Sequence, residues 1–108
     1  MKIKLLLATS FLALSVNISL ADVPVPAAEL TKIISGKTVS IGNQSAVYSA
    51  NGTYTFAGGF PGKWRVSAGR ICVDFNDGRA RCDRIVRDNG QLYMITEQNG
   101  FRSNFRPQ

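Results

Sequence analysis

The strongest constraint on this chain is its turn punctuation. An Asn-Gly or Asp-Gly dipeptide recurs at Asn51-Gly52, Asp77-Gly78, Asn89-Gly90 and Asn99-Gly100. Tight hairpin turns need positive φ at their central positions, which Asn, Asp and Gly tolerate best, so each dipeptide between alternating runs marks a reversal of an antiparallel sheet. The runs themselves keep a period of two. Tyr54 and Phe56, then Trp64 and Val66, then Ile71, Val73 and Phe75, then Leu92, Met94 and Thr96, then Phe101, Ser103 and Phe105 occupy alternate positions, the pattern of strands. Short reversals make sequential strands pair, which predicts an up-and-down meander. Six to eight such strands curl until their edges meet, so the expected fold is mainly β, an antiparallel small barrel or half-barrel. Gly58-Gly59-Phe60-Pro61-Gly62 is expected to form one wider loop.

The residues ahead of the strands read differently. Prolines at 24 and 26 keep residues 22–26 extended. From Ala27 to Gly36, a preceding proline, apolar residues at Leu30, Ile33 and Ile34 and a terminal glycine predict a short amphipathic helix. A helix so short is marginal alone, so it is expected to plug an end of the sheet or cover an edge.

The first residues carry an address. Lys2 and Lys4 precede an apolar run from Leu5 to Val16, and Ser19-Leu20-Ala21 closes it. Positive start, short apolar middle and small-x-small end predict a secretory signal cut after Ala21. The run falls short of the roughly 20 residues that span a bilayer. Asp22 rather than a cysteine follows the cut, and the start has no Arg-Arg pair, which argues against a lipoprotein and a twin-arginine signal. The expected organisation is a signal peptide over 1–21, an extended segment over 22–26 and a single β-domain over 27–108. The mature chain is expected in a periplasm or the medium, without a transmembrane segment.

An oxidising compartment permits a staple, and the chain has two cysteines. If Asn76-Asp77-Gly78 is a three-residue loop, Phe75 faces Arg79 and Cys72 faces Cys82 at a non-hydrogen-bonded pair, where side chains sit closest. A two-residue loop would offset the cysteines and send them to opposite faces. The spacing therefore favours a Cys72–Cys82 disulfide.

Composition then removes chemistries. The chain has no histidine, which excludes Ser-His-Asp and Cys-His nucleophilic sites and the usual zinc ligand sets. Paired carboxylates for a hydrolase remain formally available among Glu29, Asp74, Asp77, Asp83, Asp88 and Glu97. Turns account for Asp77 and Asp88, a helix first turn for Glu29, and neighbouring arginines for Asp74 and Asp83. No catalytic residue, metal site or cofactor is assigned, and the protein is read as a non-enzyme. Asn43-Gln44-Ser45 and Asn51-Gly52-Thr53 match a glycosylation acceptor by chance.

Arginine is the positive feature. Thirteen Lys and Arg stand against seven Asp and Glu. Without Lys2 and Lys4 the excess is about +4. Arg79, Arg81, Arg84 and Arg87 crowd one strand, and Arg79 and Arg81 share a face of it. With Arg65 they could form a basic face for an acidic protein or an anionic envelope component; nucleic acid suits the chemistry but not the compartment. The bland alternative is a solvated face paired with Asp74, Asp77, Asp83 and Asp88. The aromatics raise a second possibility, a lipocalin-like carrier of a small apolar ligand with Tyr54, Phe56, Trp64 and Met94 facing a cavity. That reading requires a cavity of at least about 300 Å³.

The succession of landmarks also resembles an uncharacterised family of small secreted proteobacterial β-domain proteins. The likeness rests on Glu29-Leu30, Gly36-Lys37-Thr38, Tyr48 ahead of Asn51-Gly52, Gly62-Lys63-Trp64-Arg65-Val66, Ile71-Cys72-Val73 and Cys82. It spans about residues 28–95 and implies size, export and fold, but no activity. The arginine-rich segment after Arg79 departs from the pattern.

Exported behind its own first residues, the product is expected to begin at Asp22 and to weigh two hydrogens less than the reduced chain. Intact mass spectrometry before and after reduction reads both; a product retaining Lys2 and Lys4 would refute the signal.

Overall fold

Each Asn-Gly or Asp-Gly group reverses the chain between antiparallel strands in the computed structural model, which describes residues 21–108. The expected signal segment thus lies outside the described residues, apart from its last residue, Ala21. The elements run β1 (Val23–Pro24), α1 (Ala27–Ile34), β2 (Lys37–Ile41), β3 (Gln44–Tyr48), β4 (Thr53–Phe56), β5 (Gly59–Ser67), β6 (Arg70–Phe75), β7 (Ala80–Asp88), β8 (Gln91–Thr96) and β9 (Arg102–Pro107). Strands β2 to β7 pair in sequence, β9 pairs with both β2 and β8, and β8 pairs with β7. The sheet is therefore an eight-stranded closed antiparallel barrel. β1 is an addition: Val23 and Pro24 pair with Arg87 and Val86, on the part of β7 that β6 has already left.

The three-residue loop between β6 and β7 has the expected form. Gly78 lies at φ 95°, its N–H donates to the Phe75 carbonyl at 3.0 Å, and the Phe75 N–H donates to the Arg79 carbonyl at 2.8 Å. The loop at Ala50-Asn51-Gly52 repeats the pattern, and Asn89-Gly90 makes a two-residue reversal. Three further reversals lack the Asn/Asp-Gly signature: Gly42-Asn43, Ala57-Gly58 and Ala68-Gly69. Ala57 and Ala68 take positive φ (52° and 34°) beside a glycine, which strains an alanine and is tolerated because the flanking ladders fix the register.

The wide loop expected over Gly58–Gly62 does not form. Phe56 pairs with Gly59 and Tyr54 with Gly62, so Phe60 and Pro61 together oppose Thr55. This β-bulge accommodates Pro61 inside a strand, where its missing N–H would otherwise break the ladder. Gly62 is required beyond it, since a Cβ there would lie 2.6 Å from the Asp74 carbonyl oxygen.

The up-and-down course puts the loops at 50–52, 68–69 and 89–90 at one end of the barrel, and those at 42–43, 57–58, 76–78 and 97–101 at the other. α1 precedes β2 at the first end and closes it. Leu30 and Ile34, one turn apart, are fully buried with Val25, Val39 and Ile85. The Val25 N–H donates to the Ile85 carbonyl at 3.1 Å and the Gly36 N–H to the Tyr48 carbonyl at 2.7 Å, so both chain segments flanking the plug are anchored to the barrel. On the outside Arg87 holds Glu29 of α1 at 2.9 Å, while Arg102 reaches Asp22 and Asp88 at 2.8 and 2.9 Å. Among the described residues no helix is long and apolar enough to cross a membrane.

Cys72 and Cys82 are directly opposed, with α-carbons 4.0 Å apart, and are bonded. Their position has a mechanical logic. β7 is paired with β6 from Ala80 but meets β8 only from Asp83, so the tip of this hairpin has a neighbour on one side alone. The disulfide secures it there. Replacing both cysteines by alanine is expected to lower stability by about 2–3 kcal/mol, from the loop-closure entropy of so short a loop. Urea denaturation of the double variant checks this; an unchanged midpoint would mean that the hairpin holds without the bond.

Candidate functional site

With one end plugged, the interior opens only at the other. Along β8 and β9 the inward positions near that mouth are Thr96 and Ser103, too short to reach the barrel axis, and the space they leave is a cavity of about 760 Å³. Its apolar wall comes from Ile41, Phe56, Ile71, Val73, Phe75 and Met94. Phe60 and Phe101 stand at the rim, and these two are more than half exposed. The bulge in β5 presents Phe60, which holds a left-handed φ of 51°.

Besides Asn43, Gln44, Gln98 and Asn104 toward the mouth, the polar part of the lining draws on an unexpected source. The register places Arg81 opposite Val73 and Asp83 opposite Ile71, so both charged side chains of β7 point inward. Arg81 Nε donates to Asp83 Oδ2 at 2.8 Å. Asp83 is buried, with its side chain 8% exposed, whereas the Arg81 side chain is 40% exposed. Tyr48 and Tyr54 line the same cavity, with ring centroids 5.3 Å apart. The residues are 1% and 8% exposed; neither hydroxyl makes a hydrogen bond among the described residues, and since no buried side-chain N or O lacks a partner there, both oxygens open onto the cavity. Burial pulls the Arg81 guanidinium down, but the hydrogen bond and charge of Asp83 together hold it above its ordinary value. Burial raises both phenols: Tyr48 goes well above the usual range, helped by Tyr54 and Asp83 and opposed by Arg81, and Tyr54 is pushed up to about 12.

The structure separates the residues that the sequence suggested as one basic face. Arg79 lies at the mouth, over the Phe75 ring and bonded to Asp77 at 2.8 Å. Arg81 lies inside. Arg65 and Arg84 point outward on either side of the disulfide, Arg65 holding Asp74 at 3.2 Å, and Arg87 grips the plug. Four of the five have carboxylate partners, and among the described residues Arg84 has none. Of the aromatics and methionine suggested for a cavity, Tyr54, Phe56 and Met94 line it. Trp64 does not. It packs at 6.0 Å from Tyr48, edge to face, and its Nε1 donates to the Ser49 carbonyl at 2.8 Å, so it braces the wall. Tyr48 and Phe75, aromatics that the sequence also offers for a cavity, line it, whereas Tyr93 does not; Asp83 is the lining residue that sequence reasoning assigns instead to a solvated face. The signal for Asp83 was present, since Asp83 shares parity with Arg81 and with Ile85.

Because the folded state holds these phenols neutral beyond the ordinary phenol pKa of about 10, it binds more protons than the unfolded chain above that pH. Stability is therefore full below about pH 10 and is lost as pH rises toward 12. Phenolate absorbance followed against pH should show two tyrosines ionising late, coincident with unfolding; prompt ionisation of all of them would contradict the buried placement.

Comparison with protein-family models, with curated proteins and with solved structures finds no match to this chain.

Proposed function

We propose that this protein is a non-catalytic carrier of a small, largely apolar molecule, bound inside the barrel and handled outside the cytoplasm. We also propose that it belongs with the small exported proteins its sequence resembles. The observation that carries the reading is the one-ended cavity of about 760 Å³. Small-molecule sites commonly occupy about 300–1,000 Å³ and combine apolar walls with a few convergent polar groups. An eight-stranded barrel has room for its own side chains or for one small ligand, and here the short Thr96 and Ser103 leave the second option. The disulfide agrees with an oxidising compartment. The dispersal of Arg65, Arg79, Arg81, Arg84 and Arg87, with most of them ion-paired, gives the basic-face reading less support.

A neutral naphthylamine dye is expected to bind the oxidised protein with one site per chain and a blue-shifted emission. Thr96→Trp fills the cavity from an inward position and is expected to abolish dye binding while leaving thermal unfolding near that of the parent. Absence of binding, or equal binding by the filled variant, would overturn the carrier reading.

A further inference from the structure

We infer that the inner end of the cavity is a head-group site for a carboxylate, making the ligand an anionic amphiphile bound head-inward. This rests on the carrier reading and deepens it. The hydroxyls of Tyr48 and Tyr54 make no hydrogen bond among the described residues, and because no buried side-chain N or O is left without a partner there, both oxygens open onto the cavity they border, free to donate to a ligand. Arg81 adds further donors. Its Nε is committed to Asp83, and no hydrogen bond among the described residues engages either Nη group.

The sign of the site follows from exposure. Within the Arg81–Asp83 pair the guanidinium is open and the carboxylate is covered, 40% against 8%, so an incoming head group meets positive charge and hydroxyl donors first. Asp83 holds the guanidinium in place, which a carboxylate then engages through hydrogen bonds strengthened by charge and by the low dielectric of the interior. Phe56, Phe60, Phe75 and Phe101 stand toward the mouth, beside the polar side chains of Asn43, Gln44, Arg79 and Gln98. Polar groups deep and aromatic rings at the rim fit a ligand whose carboxylate leads and whose hydrocarbon tail follows. A cationic head would face the guanidinium and a neutral one would forgo the charge assistance.

Calorimetric titration of the oxidised protein with decanoate, decanol and decyltrimethylammonium separates the possibilities, since the three share a tail. Decanoate is expected to bind about tenfold or more tighter than decanol, with the cation weakest. Tyr48→Phe/Tyr54→Phe keeps both rings and removes only the hydroxyls, so it should bring decanoate toward the affinity of decanol and leave decanol little changed. Arg81→Gln should do the same; because it also strips Asp83 of its partner, the double phenylalanine variant is the deciding one. If decanol equals decanoate, or the cation binds best, the head-group site is wrong and the carrier reading survives. A decanoate preference untouched by Tyr48→Phe/Tyr54→Phe overturns the assignment of these donors. If all three ligands fail to bind, both readings fall together.

Discussion

The register of the β6–β7 hairpin governs what the interior of this barrel contains. In a closed sheet every side chain points toward the axis or away from it, and a slip of a single residue exchanges the two sets. The loop at Asn76-Asp77-Gly78 seats Cys72 against Cys82 on the outside and, by the same alternation, sends Arg81 and Asp83 inward beside Val73 and Ile71. The outward disulfide and the inward ion pair are two readouts of one register. Had the strand slipped, Cys82 and Arg84 would face the core, the covalent bond could not form, and the cavity would lose its guanidinium.

The two ends of the barrel are packed differently. At the plugged end Leu30 and Ile34 meet Val25, Val39 and Ile85 in a fully buried apolar cluster. Tyr48, in contact with Trp64 and Phe105, forms the boundary. Beyond that layer the side chains become short, polar or splayed toward the rim. Stability thus resides on one side of the Tyr48 ring, which frees the other side to carry unpartnered hydroxyls and a half-exposed arginine. Such groups would be costly in a filled core, and a rigid supporting layer is what a binding constellation needs.

Much of this architecture is legible in the residues. The alternating positions from Tyr54 to Phe105 point inward as read, except Phe101, which stands exposed at the rim; the short helix closes an end, and the disulfide follows from counting across one loop. The reversals at Ala57-Gly58 and Ala68-Gly69 were not legible, because an alanine at positive φ carries no local signature and is imposed by the ladders around it. The bulge at Phe60-Pro61 was hidden for a related reason: glycine and proline ordinarily mark a loop, and only the pairing of Tyr54 with Gly62 shows that here they mark a distorted strand. The site was legible in part. The aromatics announced an apolar interior, but charged residues at alternating positions look like a solvated face until the sheet is seen to close. The arginines of β7 stand out in the sequence by their number, whereas the parity of Arg81 and Asp83 with Ile85 is the more informative property.

A blind pocket has one door. The α1 plug means that any molecule bound in the cavity would enter and leave through the same ring of phenylalanines, last in being first out. Any molecule longer than the pocket must leave its trailing end outside, always on the same side and at the tip of the β6–β7 hairpin. A loaded barrel would then differ from an empty one at its surface as well as within, and a receiving partner could tell the two apart without opening either.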